Sequence, residues 1–130
     1  MKEERRKARV WAKENISEYG EKISINNHPV IILTYCRSDI KSITGKSHED
    51  GVDLCKQIPN LPEILKIAVY IGSSPDYGSH NEVYFWHYYV FLLNDKPNYF
   101  NIMETKKGEF RINSVSDEKG FDRGKIKNKV

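Results

Sequence analysis

The stretch "VYFWHYYVFLLNDKPNYFNIMETKKGEFRINSV", residues 83–115, decides the fold. Runs of β-branched and aromatic residues with a period of two are separated by the short polar connections "NDKP" and "KKGE", the pattern of consecutive antiparallel hairpins. With "IAVYIGSS" from Ile67 ahead of them, these runs predict an antiparallel meander over the C-terminal half. The most apolar run, Val83 to Leu93, nevertheless carries His87 at its centre, between Trp86 and Tyr88.

Upstream of the meander the periodicity is different. Residues 2–16 contain no Gly or Pro and place Ala8, Trp11, Ala12 and Asn15 or Ile16 on one helical stripe, with Trp11 as the anchor. "KISINNHPVIILTY" (22–35) reads as two short strands around a turn. In residues 37–68, Ser38, Ser47 and Asn60 suit helix caps, with Gly45 and Pro59 as stops, so this third predicts short helices. The expected fold is α+β, N-terminal helices packed on a four- to five-stranded antiparallel sheet. Residues 1–120 are expected to form a single domain, followed by a basic, flexible tail over 121–130.

Composition narrows the classes. A chain of 130 residues with 38% hydrophobic and 30% charged residues is neither disordered nor membrane-embedded in composition. The net charge of +3 gives nucleic-acid binding weak support, and the eight tyrosines suit a sheet surface and a binding face equally. Cys36 and Cys55 form no CxxC pair, and no HExxH or His/Cys spacing is present, so no metal site and no cofactor are expected. The N-terminus lacks an apolar signal region, and no stretch approaches the ~18 apolar residues of a membrane span. A cytoplasmic protein with reduced thiols is the expectation.

The meander suggests a site. If Asp95-Lys96 closes one hairpin and Lys107-Gly108 the next, His87 faces Glu104 and Glu104 faces Arg111, three side chains in a row across adjacent strands. Such a row can act on RNA. A carboxylate takes the proton of a ribose 2′-hydroxyl, an imidazole protonates the departing 5′-oxygen, and a guanidinium holds the charge growing on phosphorus. The imidazole is the side chain that titrates closest to neutrality. A histidine in an aromatic strand is also an ordinary core residue, and a His/Glu/Arg row an ordinary ion-pair ladder. A loop one residue longer would turn one partner to the other face.

A second polar cluster is "ITGKSHED" (43–50). Lys41 and Lys46 with backbone N–H groups there can attract phosphate beside His48, or the segment is simply a solvated helix cap. Lys106 and Lys107 extend the basic surface, and the strand aromatics, Tyr89 among them, offer stacking faces for bases.

The order of these segments resembles the barnase–EndoU–colicin–RelE superfamily of small metal-independent ribonucleases. The similarity runs through "RRKARVWAKENI", "DIKSITGKSHED", "IPNLPEILKIAVYIG" and "WHYYVFLLNDKPNYFNIMETKKGEFRINSV", and is greatest to the branch found in phage and mobile-element polyproteins. The resemblance implies helices preceding an antiparallel sheet, with active residues on the sheet and at its edge. His48, His87 and Glu104 would occupy those positions, with Arg111 a weaker match. It also implies a toxin-like activity on tRNA or mRNA, neutralised by an antitoxin or immunity protein. Domains of this kind also serve as binding modules, so a non-catalytic phage or mobile-element interaction domain is the alternative.

Overall fold

The structure, a computed structural model, describes residues 2–25, 32–45, 48–76 and 82–129. Helix α1 (Lys2–Asn15) buries the stripe its spacing predicts: Ala8 and Ala12 face the interior, Ile16 follows them inward, and Trp11 packs against the core edge. Strands β1 (Glu21–Ser24) and β2 (Ile32–Tyr35) pair antiparallel. Helices α2 (Arg37–Gly45), α3 (Gly51–Gln57) and α4 (Leu61–Ile67) follow, with a 3₁₀ turn at Ile58–Asn60. Asn60 stands at the N-cap of α4, and Pro62 lies in its first turn, where its missing N–H costs nothing. Helix α2 is capped by Cys36 rather than Ser38: its carbonyl accepts the first helical N–H groups, and Asp39 Oδ2 accepts from Cys36 N–H at 2.7 Å. The cap expected at Ser47 lies outside the described residues.

Strands β3 (Val69–Pro75), β4 (Val83–Leu93), β5 (Lys96–Thr105) and β6 (Phe110–Ser116) form the predicted meander. The sheet is larger than four or five strands and is mixed. Among the described residues it has seven strands, in the order β1-β2-β6-β5-β4-β3-β7 with β7 at Asn128–Lys129, and β2 is parallel to β6 through Thr34 and Arg111. The reason is topological. Helices α2 to α4 carry the chain away from β2, and the three reversals of the meander return β6 beside β2 in the same direction.

Residues 121–129 are not a free tail, which corrects the expected boundary. Strand β7 (Asn128–Lys129) pairs with β3, Lys127 N–H donates to Ser73 O at 2.9 Å, and Ile126 is buried. The Phe121 ring stacks on Tyr99 with centroids 3.9 Å apart. This segment covers aromatic side chains on the second sheet face and occupies what would be an exposed edge of β3. Glycines serve local turns here: Gly120, just before the segment, donates its N–H to Asp117 Oδ1, and Gly124 N–H donates to Asp122 Oδ1.

The two faces therefore differ. Odd positions of β4 from His87 to Leu93 face the helices, and Tyr89, Phe91 and Leu93 join Phe100, Ile102 and Ile112 in the main core. The second face carries Trp86, Tyr88, Tyr99 and Asn101 beneath the C-terminal segment.

Candidate functional site

Asn94 and Asp95 both have positive φ, 54° and 62°, so the first hairpin closes on these two residues and Leu93 pairs with Lys96. This loop lies one residue earlier than expected. His87 consequently faces Ile102, while Glu104 faces Phe85. The displacement is even, so His87 and Glu104 keep the same face and meet on a diagonal, Nε2 to Oε1 at 2.8 Å. His87 is 6% exposed, enclosed by Tyr70, Phe85 and Phe110 with ring centroids 5.6 to 6.2 Å away. Its Nδ1 is buried with no hydrogen-bond partner among the described residues. The Glu104 side chain retains 24% exposure, so the carboxylate is the member of the pair that reaches solvent. Nε2–H donates this hydrogen bond to the Glu104 carboxylate.

Arg111 does not join this pair as expected. The second loop holds three residues, Lys106 to Gly108, closed by Thr105 N–H to Glu109 O at 2.8 Å, with Gly108 at φ +84°. One extra residue shifts the register by one, and Arg111 faces Met103 instead of Glu104. Its guanidinium Nη2 donates to Asp39 Oδ1 at 3.1 Å and to Oδ2 at 3.3 Å. Burial works to lower the Arg111 pKa, but the Asp39 carboxylate outweighs it and the net direction is upward. Arg111 with Lys106 and Lys107 lines a small cleft of about 220 Å³ that also holds Glu82 and Glu109.

His48 stands elsewhere. Its Nδ1 accepts from Asp50 N–H at 2.9 Å, which places the proton on Nε2, and Nε2 donates to Asn98 Oδ1 at 2.7 Å. Asn98 lies four residues from Ile102 along β5, roughly 13 Å of strand away from the His87 row. The two histidines do not share a site. Here His48 ties the turn before α3 to the sheet. Lys41 is exposed on α2, and Lys46 lies outside the described residues. Tyr89, expected to stack on bases, is 1% exposed and packs at a tilt against Tyr70, ring centroids 5.2 Å apart, because its odd position in β4 turns it toward the helices.

Sequence reasoning missed the larger concavity, about 550 Å³, on the second sheet face. Trp86, Tyr88 and Phe121 form aromatic walls, Asn101 and Asn113 contribute carboxamides, and Lys125 lies at the C-terminal segment. The alternation of β4 and β5 could have put Trp86, Tyr88 and Asn101 on one face. The expectation of a flexible tail over 121–130 left out the other wall.

Among the described residues no group of three or more His, Cys, Asp or Glu side chains is placed to hold a metal ion, and no helix is long and apolar enough to cross a membrane. Comparisons with protein families, with curated proteins and with solved structures return no match.

Proposed function

We propose that this chain is an endoribonuclease of the barnase–EndoU–colicin–RelE kind, with Glu104 and His87 as its acid-base centre. The observation that carries this reading is the 2.8 Å contact between His87 Nε2 and Glu104 Oε1, with the carboxylate partly open to solvent. Glu104 takes the proton of a ribose 2′-hydroxyl, and the 2′-oxygen bonds to the adjacent phosphorus. The bond from phosphorus to the 5′-oxygen then breaks, and protonated His87 supplies the proton to that oxygen. The products are a 2′,3′-cyclic phosphate and a 5′-hydroxyl. Lys106, Lys107 and Arg111 supply positive charge near the phosphate. The RNA provides its own nucleophile, so the scheme requires no activated water. tRNA or mRNA is the substrate class, and an antitoxin or immunity protein the partner, in this proposal. The scheme makes one structural demand: the Tyr70, Phe85 and Phe110 wall must yield for phosphate to approach Nε2.

The burial of His87 favours a second reading, a non-catalytic interaction domain on the same fold, in which the pair is a satisfied cross-strand contact. The two are separated by incubating the protein with total RNA and with tRNA in EDTA, beside Glu104→Gln and His87→Asn variants of confirmed fold. Cleavage that persists in EDTA and is lost in both variants supports the ribonuclease. Intact RNA with the folded wild type moves the reading to the interaction domain.

A further inference from the structure

We infer that the cleft on the second sheet face binds an unpaired nucleobase, at a site separate from His87 and Glu104. Its volume of about 550 Å³ is that of a small-molecule site. Its walls are held in place before any ligand arrives. Trp86 Nε1–H donates to Asp76 Oδ1 at 3.0 Å, Tyr88 Oη and Ser74 Oγ are 2.7 Å apart, and Phe121 lies on Tyr99 with its ring plane only 9° away. Rigid aromatic walls reduce the entropy lost on binding a flat ring.

The polar groups fit the edge of a base. Asn101 Nδ2 donates to both Ser114 Oγ and Ser116 Oγ at 2.8 Å, which fixes the amide and leaves Oδ1 as an acceptor. Asn113, the extra residue where the β5–β6 register shifts, makes among the described residues a long 3.5 Å contact to Ser114 Oγ, so its amide can both donate and accept. Mixed donors and acceptors beside aromatic rings are what unpaired bases use when they are read on their edges and stacked.

Charge argues for a base over a purely anionic ligand. Asp76 and Asp122 offset Lys125 and Lys127 in the lining, so the cleft has no formal excess of positive charge. Both carboxylates already accept protein hydrogen bonds; Lys125 and Lys127 are exposed, Lys127 Nζ making a long 3.4 Å contact to Gly124 O, and can meet a phosphate attached to the base. The base can come from a free mononucleotide or from a single-stranded RNA. Neither source depends on the cleavage reading.

The test is nitrogen-edited NMR of the labelled wild-type chain, titrated separately with AMP, UMP, GMP, CMP, a short unstructured RNA, ribose 5-phosphate and inorganic phosphate. The expected result is saturable movement of the Trp86 indole and the Asn101 and Asn113 amide signals, while the Trp11 indole on α1 stays still. Comparable affinity for RNA and a mononucleotide identifies a free nucleotide as sufficient, and an RNA preference of about tenfold or more identifies a strand; both support the site. No movement at millimolar ligand, or equal movement with ribose 5-phosphate or phosphate, overturns it. Asn113→Ala and the paired change Lys125→Gln with Lys127→Gln should each weaken binding while the spectrum stays dispersed. Unchanged affinity in both overturns the assignment. His87→Asn should bind as the wild type does, so absent cleavage and absent base binding are told apart.

Discussion

Glu104 reaches His87 along a diagonal of the β4–β5 ladder, Oε1 to Nε2 at 2.8 Å, past the residues that directly oppose each of them, Phe85 and Ile102. Diagonal neighbours lie about 7–8 Å apart at the backbone, a span that a glutamate and an imidazole close together. Because His87 is buried, removing the carboxylate strands a polar nitrogen in an aromatic pocket. Glu104→Ala is expected to cost about 1–3 kcal/mol in urea denaturation. In a His87→Phe background the same change should cost at least about 1 kcal/mol less. Additive effects would mean that the contact contributes nothing to stability.

Arg111 and Asp39 join β6 to the start of α2. Asp39 is 8% exposed and receives both Arg111 Nη2 and Cys36 N–H, so it fixes the helix cap as well as the ion pair. Arg111→Met leaves that carboxylate with its cap hydrogen bond and no counter-charge. Because the guanidinium is itself only partly buried, the expected loss is about 2 kcal/mol, less than for a fully buried pair. Chemical denaturation of both proteins measures it, and a change below about 0.5 kcal/mol would place the pair among ordinary surface contacts.

Gly20 turns the chain from α1 into β1 at φ +86°. A Cβ at this position would lie 2.8 Å from Cys36 Sγ and 3.1 Å from the Tyr35 carbonyl oxygen, and the backbone oxygen cannot swing aside. Gly20→Ala combines left-handed strain with this clash and should destabilise by about 1–3 kcal/mol. By contrast Gly45, whose Cβ would meet nothing within 4 Å, should tolerate alanine. Thermal melts of the two variants compare them directly, and equal Tm values would contradict the geometry.

The meander was legible because strand runs, hairpin turns and side-chain alternation agree over residues 83–115. The finer site was less so, because register depends on loop length. Placing the first turn at Asp95-Lys96 displaced the pairing by two and left His87 and Glu104 able to meet. Placing the second at Lys107-Gly108 was wrong by one and sent Arg111 to a different partner. The β2–β6 pairing and the docking of residues 121–129 join segments far apart in the chain, and no local periodicity records them. Tyr89 and His48 show the same limit: the residue type was readable, whereas burial and hydrogen-bond partners depend on the tertiary fold.

Asp117 at the end of β6 accepts from Glu49 N–H at 2.8 Å and from Gly120 N–H at 2.7 Å. The Glu49 backbone bond is the main reason its pKa falls below the ordinary 3.8, with Gly120 adding to it and slight burial opposing. A carboxyl with a lowered folded pKa contributes stability above its unfolded value, and that contribution is lost as pH falls through the folded one. Acid unfolding followed from about pH 5 downward should therefore be shallower in Asp117→Asn, with the difference confined to the region below about pH 4. Parallel curves would show that the carboxylate is not linked to folding.

His48 provides the last separation of scaffold from chemistry. Both ring nitrogens are occupied by protein partners, and its Nε2–H meets Asn98, which is 1% exposed. His48→Ala would leave the Asn98 carbonyl oxygen without this donor and the Asp50 N–H without its acceptor, an expected cost of about 1–3 kcal/mol. If Glu104 and His87 form the cleavage centre, the same variant should retain the wild-type rate per folded molecule. Activity would be assayed well below its Tm, with the folded fraction fixed by circular dichroism. Cleavage lost from a fully folded His48→Ala protein but kept in His87→Asn would move the chemistry to the α3 end of the sheet.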